Sequence, residues 1–474
     1  MKRMEPLLLA GRWIETDSTL DVHSPFTGEL IAQTACAKPQ HVSEALAAAE
    51  RALSIPLPEH KRHKVLETVA NRLRDRAEEF ARTIALEAGK PIKTARLEVE
   101  RAVSTLTFSA AEALRLTGET IPMSASAAGA GKLAFTVHEP IGVVAAITPF
   151  NFPLNLVCHK VGPAVAAGCP VVLKPSSYTP LTALKLARIF TEAELPEGYL
   201  SVLPGSGQEV GNALVSDPRV ALVTFTGSGQ VGWSIAAKTD RKKVLLELGN
   251  SSPVLVFPDA DISTAVAACV RHGFSHAGQS CISVQRILVH RSIYAQFLDQ
   301  LVPAVEKLKT GDPLDEDTDV GPLITTTERD RVIAWIREAQ DGGAKVLTGG
   351  TTSGPLLMPT VLADVHPSMK VSCLEVFGPL VAVTPFSSFE EGIELANGTQ
   401  YGLQASVFTS NINTALKAAR LLRFGGVLVN EGTAFRADHM PYGGIKESGN
   451  TKEGPAYAVR EMTRQKLIIF EGWH

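Results

Sequence analysis

The hydrophobic pattern is most regular between Ile141 and Leu248, where apolar runs alternate with stretches of helical spacing. The apolar runs are Gly142–Ile147, Pro170–Leu173, Tyr199–Leu203, Val220–Phe225 and Lys243–Leu248. The helical stretches between them are Leu156–Ala167, Leu181–Glu194, Gln208–Val215 and Gln230–Ala237. Strands that are apolar along their whole length and joined by helices are typical of a parallel sheet covered on both faces. The pattern therefore predicts an α/β domain with a doubly wound sheet.

A second series of the same kind runs from Pro253 to about Gly426 and predicts a second doubly wound domain. Its apolar runs lie near Val254–Phe257, Ile287–Val289, Leu380–Thr384, Ala405–Phe408 and Gly426–Val429. In such folds ligands bind at the carboxyl ends of the strands. The unusual residues of the first series follow its strands directly: Phe150-Asn151-Phe152-Pro153, Lys174-Pro175-Ser176-Ser177, Pro204-Gly205-Ser206-Gly207 and Thr226-Gly227-Ser228-Gly229.

Two other segments lie outside these series. Residues 118–138 are rich in Ser, Ala and Gly and then alternate through Leu133-Ala134-Phe135-Thr136-Val137, which we interpret as an extended arm or hairpin. The tail, Met462–Phe470, has the pattern of a strand with no obvious partner. Because a free strand edge pairs readily with another chain, we expect the tail to pair with another subunit.

Composition and charge exclude several classes. The 474 residues are 45% hydrophobic and 20% charged, which is typical of a globular protein with more than one core. A net charge of -3 gives no electrostatic footprint for nucleic acid. No apolar run is long enough to span a bilayer and no signal peptide is evident, so we expect a cytoplasmic protein without a membrane partner. Six widely spaced cysteines without a C-x-x-C pair argue against disulfides and against a metal site.

One cysteine stands out by its position. Cys281 ends Gly278-Gln279-Ser280-Cys281, between a predicted helix, Val266–Ala277, and a β-branched segment, Ile282–Val289. The thiol is thus placed on a tight turn, and Gly278 is able to supply unusual backbone angles. An isolated cysteine is more often a small buried hydrophobe, so the turn alone does not identify a nucleophile.

Other groups are candidates for binding or catalysis. Gly227-x-Gly229-x-x-Gly232 matches the dinucleotide fingerprint and opens a predicted helix, although a plain structural turn fits equally well. Lys174 ends a buried strand, a costly place for a charge without a ligand or partner. Glu247 ends another, where burial raises a carboxyl pKa towards that of a general base; a structural ion pair is the alternative. The Asn151 amide suits an oxyanion, and Glu375 lies among apolar neighbours.

These segments, taken in order, resemble motifs of the aldehyde dehydrogenase superfamily. They are Pro149-Phe150-Asn151-Phe152-Pro153, Lys174-Pro175-Ser176, Phe225-Thr226-Gly227-Ser228, Leu246-Glu247-Leu248-Gly249, Gly278-Gln279-Ser280-Cys281 and Glu375-Val376-Phe377-Gly378-Pro379. The resemblance covers nearly the whole chain and implies NAD(P)-dependent oxidation of an aldehyde to a carboxylate. It implies that Cys281 forms a thiohemiacetal and then a thioester, and that Glu247 activates the water that hydrolyses it. Asn151 and the backbone N–H of Cys281 would form the oxyanion hole.

The resemblance also implies an NAD or NADP site without a metal. Lys174 would contact the adenosine ribose, Glu375 the nicotinamide ribose, and the Gly227-Ser228 turn the pyrophosphate. The implied cofactor-binding residues are Phe150, Lys174, Ser176, Ser177, Gly207, Gly211, Phe225, Thr226, Gly227, Ser228, Leu248, Glu375 and Phe377. The expected division is a dinucleotide-binding domain over 1–119 and 141–248, a catalytic domain over 249–446, and a small β oligomerisation arm with a C-terminal strand over 120–140 and 447–474.

Departures from the family pattern bear on specificity. Ser177 stands where NAD-preferring members often carry Glu, so we expect NADP to be accepted. The segments His138-Glu139-Pro140, Asn151–Lys160 and Arg436–Gly444 are similar to those of the branch that handles lactaldehyde, glyceraldehyde-3-phosphate without phosphorylation, phosphonoacetaldehyde or related sulfonate aldehydes. The resemblance implies that Arg101, His159 and Arg436 bind a hydroxylated or anionic tail, and surface or structural pairing is the alternative for each. Ser280 replaces the Arg that phosphate- or phosphonate-binding members often carry, which favours a short or hydroxylated aldehyde.

Several alternatives stay open at this stage. The substrate is either a short hydroxylated aldehyde or semialdehyde, or a phosphate-, phosphonate- or sulfonate-bearing aldehyde. A cysteine enzyme that transfers acyl groups or hydrolyses esters without redox turnover is a rival, as is a catalytically silent protein on the same scaffold. The arm and the tail predict a homodimer or homotetramer.

Overall fold

The fold is taken from a computed structural model that describes residues 4–239 and 241–472. Its strands are β1 (Met4–Glu5), β2 (Leu7–Leu9), β3 (Arg12–Ile14), β4 (Thr19–His23), β5 (Leu30–Ala35), β6 (Thr120–Ile121), β7 (Lys132–Pro140), β8 (Val143–Ile147), β9 (Val171–Lys174), β10 (Leu200–Val202), β11 (Val220–Thr226), β12 (Lys243–Glu247), β13 (Ser252–Val256), β14 (Val284–His290), β15 (Lys345–Thr348), β16 (Thr352–Ser353), β17 (Leu356–Leu357), β18 (Thr360–Ala363), β19 (Leu380–Phe386), β20 (Gln404–Phe408), β21 (Gly426–Val429) and β22 (Thr463–Glu471).

Its α-helices are α1 (Pro39–Leu53), α2 (Glu59–Asp75), α3 (Ala77–Ala88), α4 (Ile92–Ala113), α5 (Asn155–Ala167), α6 (Pro180–Glu192), α7 (Asn212–Ser216), α8 (Gly229–Lys238), α9 (Ile262–Phe274), α10 (Tyr294–Glu306), α11 (Thr326–Asp341), α12 (Lys370–Cys373), α13 (Phe389–Asn397), α14 (Ile412–Leu421) and α15 (Pro455–Glu461).

The first large sheet has the strand order β12-β11-β8-β9-β10-β2-β3. Its strands are parallel from β12 to β10, and β2 and β3 add an antiparallel edge. β8 and β9 are buried along their whole length, as continuous apolar runs require when helices cover both faces. The predicted doubly wound architecture is therefore present in this part of the chain.

The second large sheet has the order β15-β18-β19-β14-β13-β20-β21. Only the β15–β18 pair is antiparallel; the other neighbours run parallel. The α/β fold class with two parallel-sheet units is thus confirmed. The limits assigned to the domains stay a prediction.

Two buried carboxylates anchor helices that follow strands of the first sheet. Glu98 in α4 accepts the N–H groups of Leu154 and Asn155 at 2.9 and 3.2 Å, at the start of α5. Glu87 in α3 accepts the N–H groups of Leu181 and Thr182 at 2.8 and 2.9 Å, at the start of α6. Helix N-termini carry unsatisfied donors and partial positive charge, so these carboxylates fix α5 and α6 against the helical layer.

The C-terminal strand corrects one expectation. β22 does not lack a partner in its own chain: all nine of its residues pair antiparallel with β7, from Thr463 opposite Pro140 to Glu471 opposite Lys132. With β6 it makes a three-stranded sheet, because alternating segments far apart in sequence supply one another's hydrogen bonds. Val459 and Met462, which the prediction grouped with the arm, lie in the core beneath the first sheet.

Candidate active site

The turn before Cys281 has an unusual backbone. α9 ends at Phe274, three residues earlier than predicted, and His276, Ala277 and Gly278 follow with φ values of 49°, 53° and 69°. Left-handed angles disfavour residues with a Cβ, so tertiary contacts must hold this turn. A Cβ on Gly278 would collide with the carbonyl of Gly378, which explains glycine there. The strained backbone of this turn therefore determines where the Cys281 side chain lies.

The Cys281 thiol and the Glu247 carboxylate are joined by a third side chain. The Tyr442 hydroxyl lies 2.9 Å from Cys281 Sγ and donates to Glu247 Oε1 at 3.2 Å. Burial and the negative charge of Glu247 raise the pKa of the Cys281 thiol well above its ordinary value. Burial and the charge of Glu453 raise the pKa of Glu247 to about 8. A thiol and a potential base therefore share one hydroxyl.

Asn151 lies next to this group. Its side chain is buried in the loop between β8 and α5, and Nδ2 donates to the carbonyl of Gln279 at 3.0 Å. That hydrogen bond joins the loop of the first sheet to the turn that carries Cys281. The nitrogen of a primary amide has two donors, so one N–H of Asn151 remains for a further acceptor. Its role in an oxyanion hole stays a prediction.

A cavity of about 240 Å³ opens beside the thiol. Two of the three predicted substrate residues, Arg101 and Arg436, line it together with Cys281, whereas His159 is not among the lining residues. The full lining is Thr94, Leu97, Glu98, Arg101, Phe152, Asn155, Leu156, Arg271, His272, Ser275, His276, Ser280, Cys281, Ile282, Ala434, Arg436 and Tyr442.

His159 lies in a buried charge network. Its Nε2 is 3.0 Å from Arg436 Nη2 and 3.1 Å from Asp438 Oδ1. Burial lowers the pKa of His159 to about 4, so the imidazole is neutral. Arg436 also pairs with Glu453 at 3.0 Å, and Arg101 pairs with Asp438 at 3.0 Å. The predicted substrate residues Arg101 and Arg436 are therefore each held by a carboxylate, and His159 contacts Arg436 and Asp438 without lining the cavity.

A second cleft of about 400 Å³ lies at the carboxyl ends of the first sheet. It brings together ten of the predicted cofactor residues: Phe150, Lys174, Ser176, Ser177, Gly207, Gly211, Phe225, Thr226, Gly227 and Ser228. Lys174 is buried there and its ammonium donates only to the carbonyl of Pro175, at 2.9 Å, among the contacts of the described residues. Burial lowers the pKa of Lys174 to about 8. A buried cation with unused donors beside a glycine-lined cleft fits a polyol phosphate ligand.

The remaining predicted cofactor residues lie apart from this cleft. Glu375 and Phe377 line a narrow crevice that also contains Gly278 and Ser280. Glu375 Oε1 accepts the N–H of Asn250 at 3.0 Å, and burial raises the pKa of Glu375 to about 7. Leu248 is buried in the core that also contains Phe225. The ring of Phe377 in the crevice contacts the ring of Phe150 in the cleft edge to face, with a distance of 6.0 Å between their centroids. The crevice and the cleft are therefore neighbours.

Comparison with known proteins decides the family. The profile of the aldehyde dehydrogenase family matches residues 13–468. The chain belongs to the aldehyde dehydrogenase family. A 3-sulfolactaldehyde dehydrogenase from Priestia aryabhattai is 47% identical over 98% of this chain and 97% of that protein. As a member of this family the protein is an NAD(P)-dependent oxidoreductase.

Two solved structures are similar over almost their entire length. The aldehyde dehydrogenase from Physcomitrella patens in complex with the reaction product succinate is 39% identical, with a TM-score of 0.96 over 100% of this chain and 99% of that chain. The glyceraldehyde-3-phosphate dehydrogenase from Methanocaldococcus jannaschii complexed with NADP is 40% identical, with a TM-score of 0.93 over 96% and 100%. The predicted resemblance is thereby confirmed, while the roles of individual site residues stay predictions.

Sequence reasoning did not single out Tyr442 or His276. Tyr442 is separated from Cys281 by 161 residues, and its only signal is a tyrosine inside Met440-Pro441-Tyr442-Gly443-Gly444. His276 lines the cavity, is buried, and has no hydrogen-bond partner at either ring nitrogen among the described residues. Buried polar atoms rarely lack partners, so the two nitrogens are candidates for contact with a ligand.

Over residues 4–239 and 241–472, no group of three or more His, Cys, Asp or Glu is arranged to hold a metal ion. Within the same ranges, no helix is long and apolar enough to cross a membrane.

Proposed function

We propose that this aldehyde dehydrogenase oxidises a short aldehyde with a hydroxyl or anionic group to the carboxylate, using NADP or NAD. The observation that carries the proposal is the cavity of about 240 Å³ in which the Cys281 thiol, linked to Glu247, faces Arg101 and Arg436. A cavity of this size admits a small polar molecule and is below the usual range for larger ligands.

The residues around the thiol support the following chemistry. The Cys281 sulfur attacks the carbonyl carbon and forms a thiohemiacetal, whose oxyanion accepts hydrogen bonds from the Asn151 amide and the Cys281 backbone N–H. A bound nicotinamide supplies the acceptor for the two electrons and the hydrogen lost in oxidation. Glu247, as the carboxylate, takes a proton from the water that attacks the thioester, and the thiolate leaves.

The charged residues of the cavity guide the choice of substrate. Arg101 uses Nε and Nη2 on Asp438 and keeps further donors for a tail, and Arg436 adds a second guanidinium. His276 provides one donor and one acceptor for a hydroxyl group. The Priestia relative is named for 3-sulfolactaldehyde and the Physcomitrella structure holds succinate, so a hydroxylated or anionic three- or four-carbon aldehyde is favoured.

Glyceraldehyde-3-phosphate is the second candidate, because the Methanocaldococcus relative is named for it. Ser280 lines the cavity as a neutral side chain, without the arginine expected for a phosphate group. The same site would therefore hold a phosphate less tightly than a smaller anion.

The cofactor cleft supports the use of NADP. Among the described residues that line it there is one lysine and no Asp or Glu. Ser177 donates to the carbonyl of Gly205 at 2.9 Å and leaves no negative charge where a 2'-phosphate would lie. A carboxylate at that position would repel the phosphate, so its replacement by serine favours acceptance of NADP.

We further propose a cytoplasmic homodimer or homotetramer. All six cysteines are free thiols, as expected in a reducing compartment. On β22, Leu467, Ile469 and Phe470 are each at least half exposed, which provides an apolar edge for a second copy. Light scattering on the purified protein measures the assembly directly, and a monomer at micromolar concentration would contradict this part of the proposal.

A substrate panel tests the activity. Lactaldehyde, 3-sulfolactaldehyde, succinic semialdehyde, glyceraldehyde-3-phosphate and propanal are each assayed for NADH or NADPH formation without coenzyme A. We expect the highest kcat/KM with a non-phosphorylated hydroxylated or anionic aldehyde, and Cys281→Ala should lose at least 99% of it. Ester hydrolysis without nicotinamide reduction by any aldehyde would identify a non-redox cysteine enzyme instead, and neither activity would indicate a silent scaffold.

A further inference from the structure

The hydrogen bonds of Tyr442 define a chain of three groups. A phenol has one proton to donate and accepts through its oxygen. If Tyr442 donates to Glu247 Oε1, the 2.9 Å contact with Cys281 must be a thiol S–H pointing to the Tyr442 oxygen. If Glu247 is protonated and donates to Tyr442, then Tyr442 donates to a Cys281 thiolate. Both arrangements satisfy every contact, and they differ by the shift of one proton from sulfur to carboxylate.

The surroundings hold this chain rigid. Tyr442 is 1% exposed and packs in a small core with Ile282 and Leu403. The Arg436 guanidinium lies 3.8 Å from the centroid of the Tyr442 ring. That contact holds the Tyr442 ring in place, with its hydroxyl between the Cys281 thiol and the Glu247 carboxylate. It also places a positive charge beside the groups that exchange a negative charge in the transfer.

We propose that Tyr442 is a catalytic residue that relays the Cys281 proton to Glu247. The S–H bond breaks as the proton passes to the Tyr442 oxygen, while the O–H proton of Tyr442 passes to Glu247 Oε1. The products are a thiolate, a neutral phenol and a carboxylic acid, with no change in oxidation state. Glu247 then releases this proton to solvent and regains the carboxylate that thioester hydrolysis requires. This inference rests on the proposed roles of Cys281 and Glu247.

Charge in the neighbourhood agrees with a relay rather than with a tyrosinate base. Burial raises the pKa of the Tyr442 hydroxyl well above its ordinary value, so it stays neutral at both ends of the transfer. The other charged groups facing the chain are Arg436, Glu375, and Glu453 with Lys160, which pair at 3.2 Å. Direct transfer from the thiol to Glu247 is the competing path, and it does not need Tyr442.

Alkylation of Cys281 by iodoacetamide, without cofactor or aldehyde, tests the relay. Labelling of the Cys281 peptide is followed by mass spectrometry from about pH 6 to about pH 10, a range that covers the titration of a cysteine thiol. Cys281→Ala gives the background from the other thiols. Tyr442→Phe keeps the ring, its packing and the Arg436 contact. We expect the rate at neutral pH to fall about tenfold to hundredfold and the inflection to move to higher pH. Tyr457→Phe, which changes a tyrosine outside the site, should react as the wild type does.

A double-mutant cycle separates a relay from independent effects. Glu247→Gln removes the proton acceptor but also the negative charge that raises the pKa of Cys281, so its inflection should lie below that of Tyr442→Phe. Adding Tyr442→Phe to Glu247→Gln should slow the reaction no further, because the relay is already interrupted. A wild-type alkylation rate and inflection in Tyr442→Phe would overturn the relay, as would a further loss of rate when Tyr442→Phe is added to Glu247→Gln. The proposed oxidation is tested separately. If the wild type forms no NAD(P)H with any aldehyde, but its alkylation rate still falls in Tyr442→Phe, then the oxidation fails while the relay stands.

Discussion

Lys90 and Glu98 form an ion pair that is closed off from solvent, with both side chains at most 1% exposed. The Lys90 ammonium also lies 3.7 Å from the centroid of the Phe152 ring, next to the loop of Asn151. Glu98 holds the start of α5 through two backbone N–H groups. One buried pair thus connects the Gly89-Lys90-Pro91 turn to the predicted oxyanion loop.

Removing one partner of this pair should destabilise the protein strongly. Lys90→Met leaves the Glu98 carboxylate buried without a counter-charge, which costs about 3 to 5 kcal/mol. Lys417→Met is the matched control, because Lys417 and Glu390 form an exposed pair worth roughly 0 to 1 kcal/mol. Chemical denaturation of both variants measures the difference. Equal, small losses would mean that the buried pair is not needed for stability.

Hydrolysis of the thioester should depend on the ionisation of Glu247. Its pKa is raised to about 8 by burial and by Glu453, and a general base acts only when deprotonated. The rate should therefore rise as pH increases through about 8 and level off above it. An acyl-enzyme formed beforehand with p-nitrophenyl acetate is followed by mass spectrometry as the acetyl group is lost.

Glu247→Gln should slow this loss by about 10² to 10⁴ and remove the inflection. Glu461→Gln changes a surface carboxylate that pairs with Lys243, and it should leave the profile unchanged. An inflection near pH 8 that persists in Glu247→Gln would assign the base to another group.

The sequence predicts the sheets well because their strands are buried on both faces. The run expected at Val220–Phe225 is observed as Val220–Thr226, and that at Lys243–Leu248 as Lys243–Glu247. A strand that is apolar on both faces is buried only when helices cover the sheet on both sides. Lys174 and Glu247 are the last residues of β9 and β12, as expected. A charged residue at the end of an apolar run thus correctly marked the carboxyl end of the strand.

Tertiary contacts account for what the sequence did not reveal. Ser275-His276-Ala277 has no local preference for left-handed angles, so the sequence predicts a helix up to Ala277. The backbone instead leaves the helix at Phe274 and passes close to the carbonyl of Gly378 at Gly278. Tyr442 reaches Cys281 and Glu247 across 161 and 195 residues. Such a contact depends on the packing of two sheet units, which periodicity does not encode.

Cofactor preference should respond to one charge in the cleft. Ser177→Glu places a carboxylate where the 2'-phosphate of NADP is proposed to lie, and like charges at close range cost about 1 to 4 kcal/mol. We expect the KM for NADP to rise at least tenfold, with the KM for NAD within about twofold of the wild type. Ser177→Gln is the neutral control of similar size and should affect the two cofactors alike. Equal losses with NADP and NAD in Ser177→Glu would place the phosphate elsewhere.

His276 should discriminate between substrates by their hydroxyl group. Its two ring nitrogens lack partners within residues 4–239 and 241–472, and its backbone φ is 49°. Burial lowers the pKa of its imidazole well below the ordinary value, so it is a neutral donor and acceptor. His276→Phe removes both groups but keeps a ring beside Phe152. A lost hydrogen bond of about 1 to 1.5 kcal/mol predicts a five- to tenfold lower kcat/KM for lactaldehyde, with little change for propanal, which has no hydroxyl.

His276→Asn retains a donor and an acceptor and tolerates left-handed angles, so it should recover part of the loss. The thermal midpoint of each variant is measured beside the kinetics, and an equal loss of kcat/KM for both aldehydes would show that His276 shapes the turn of Cys281 and does not contact the substrate.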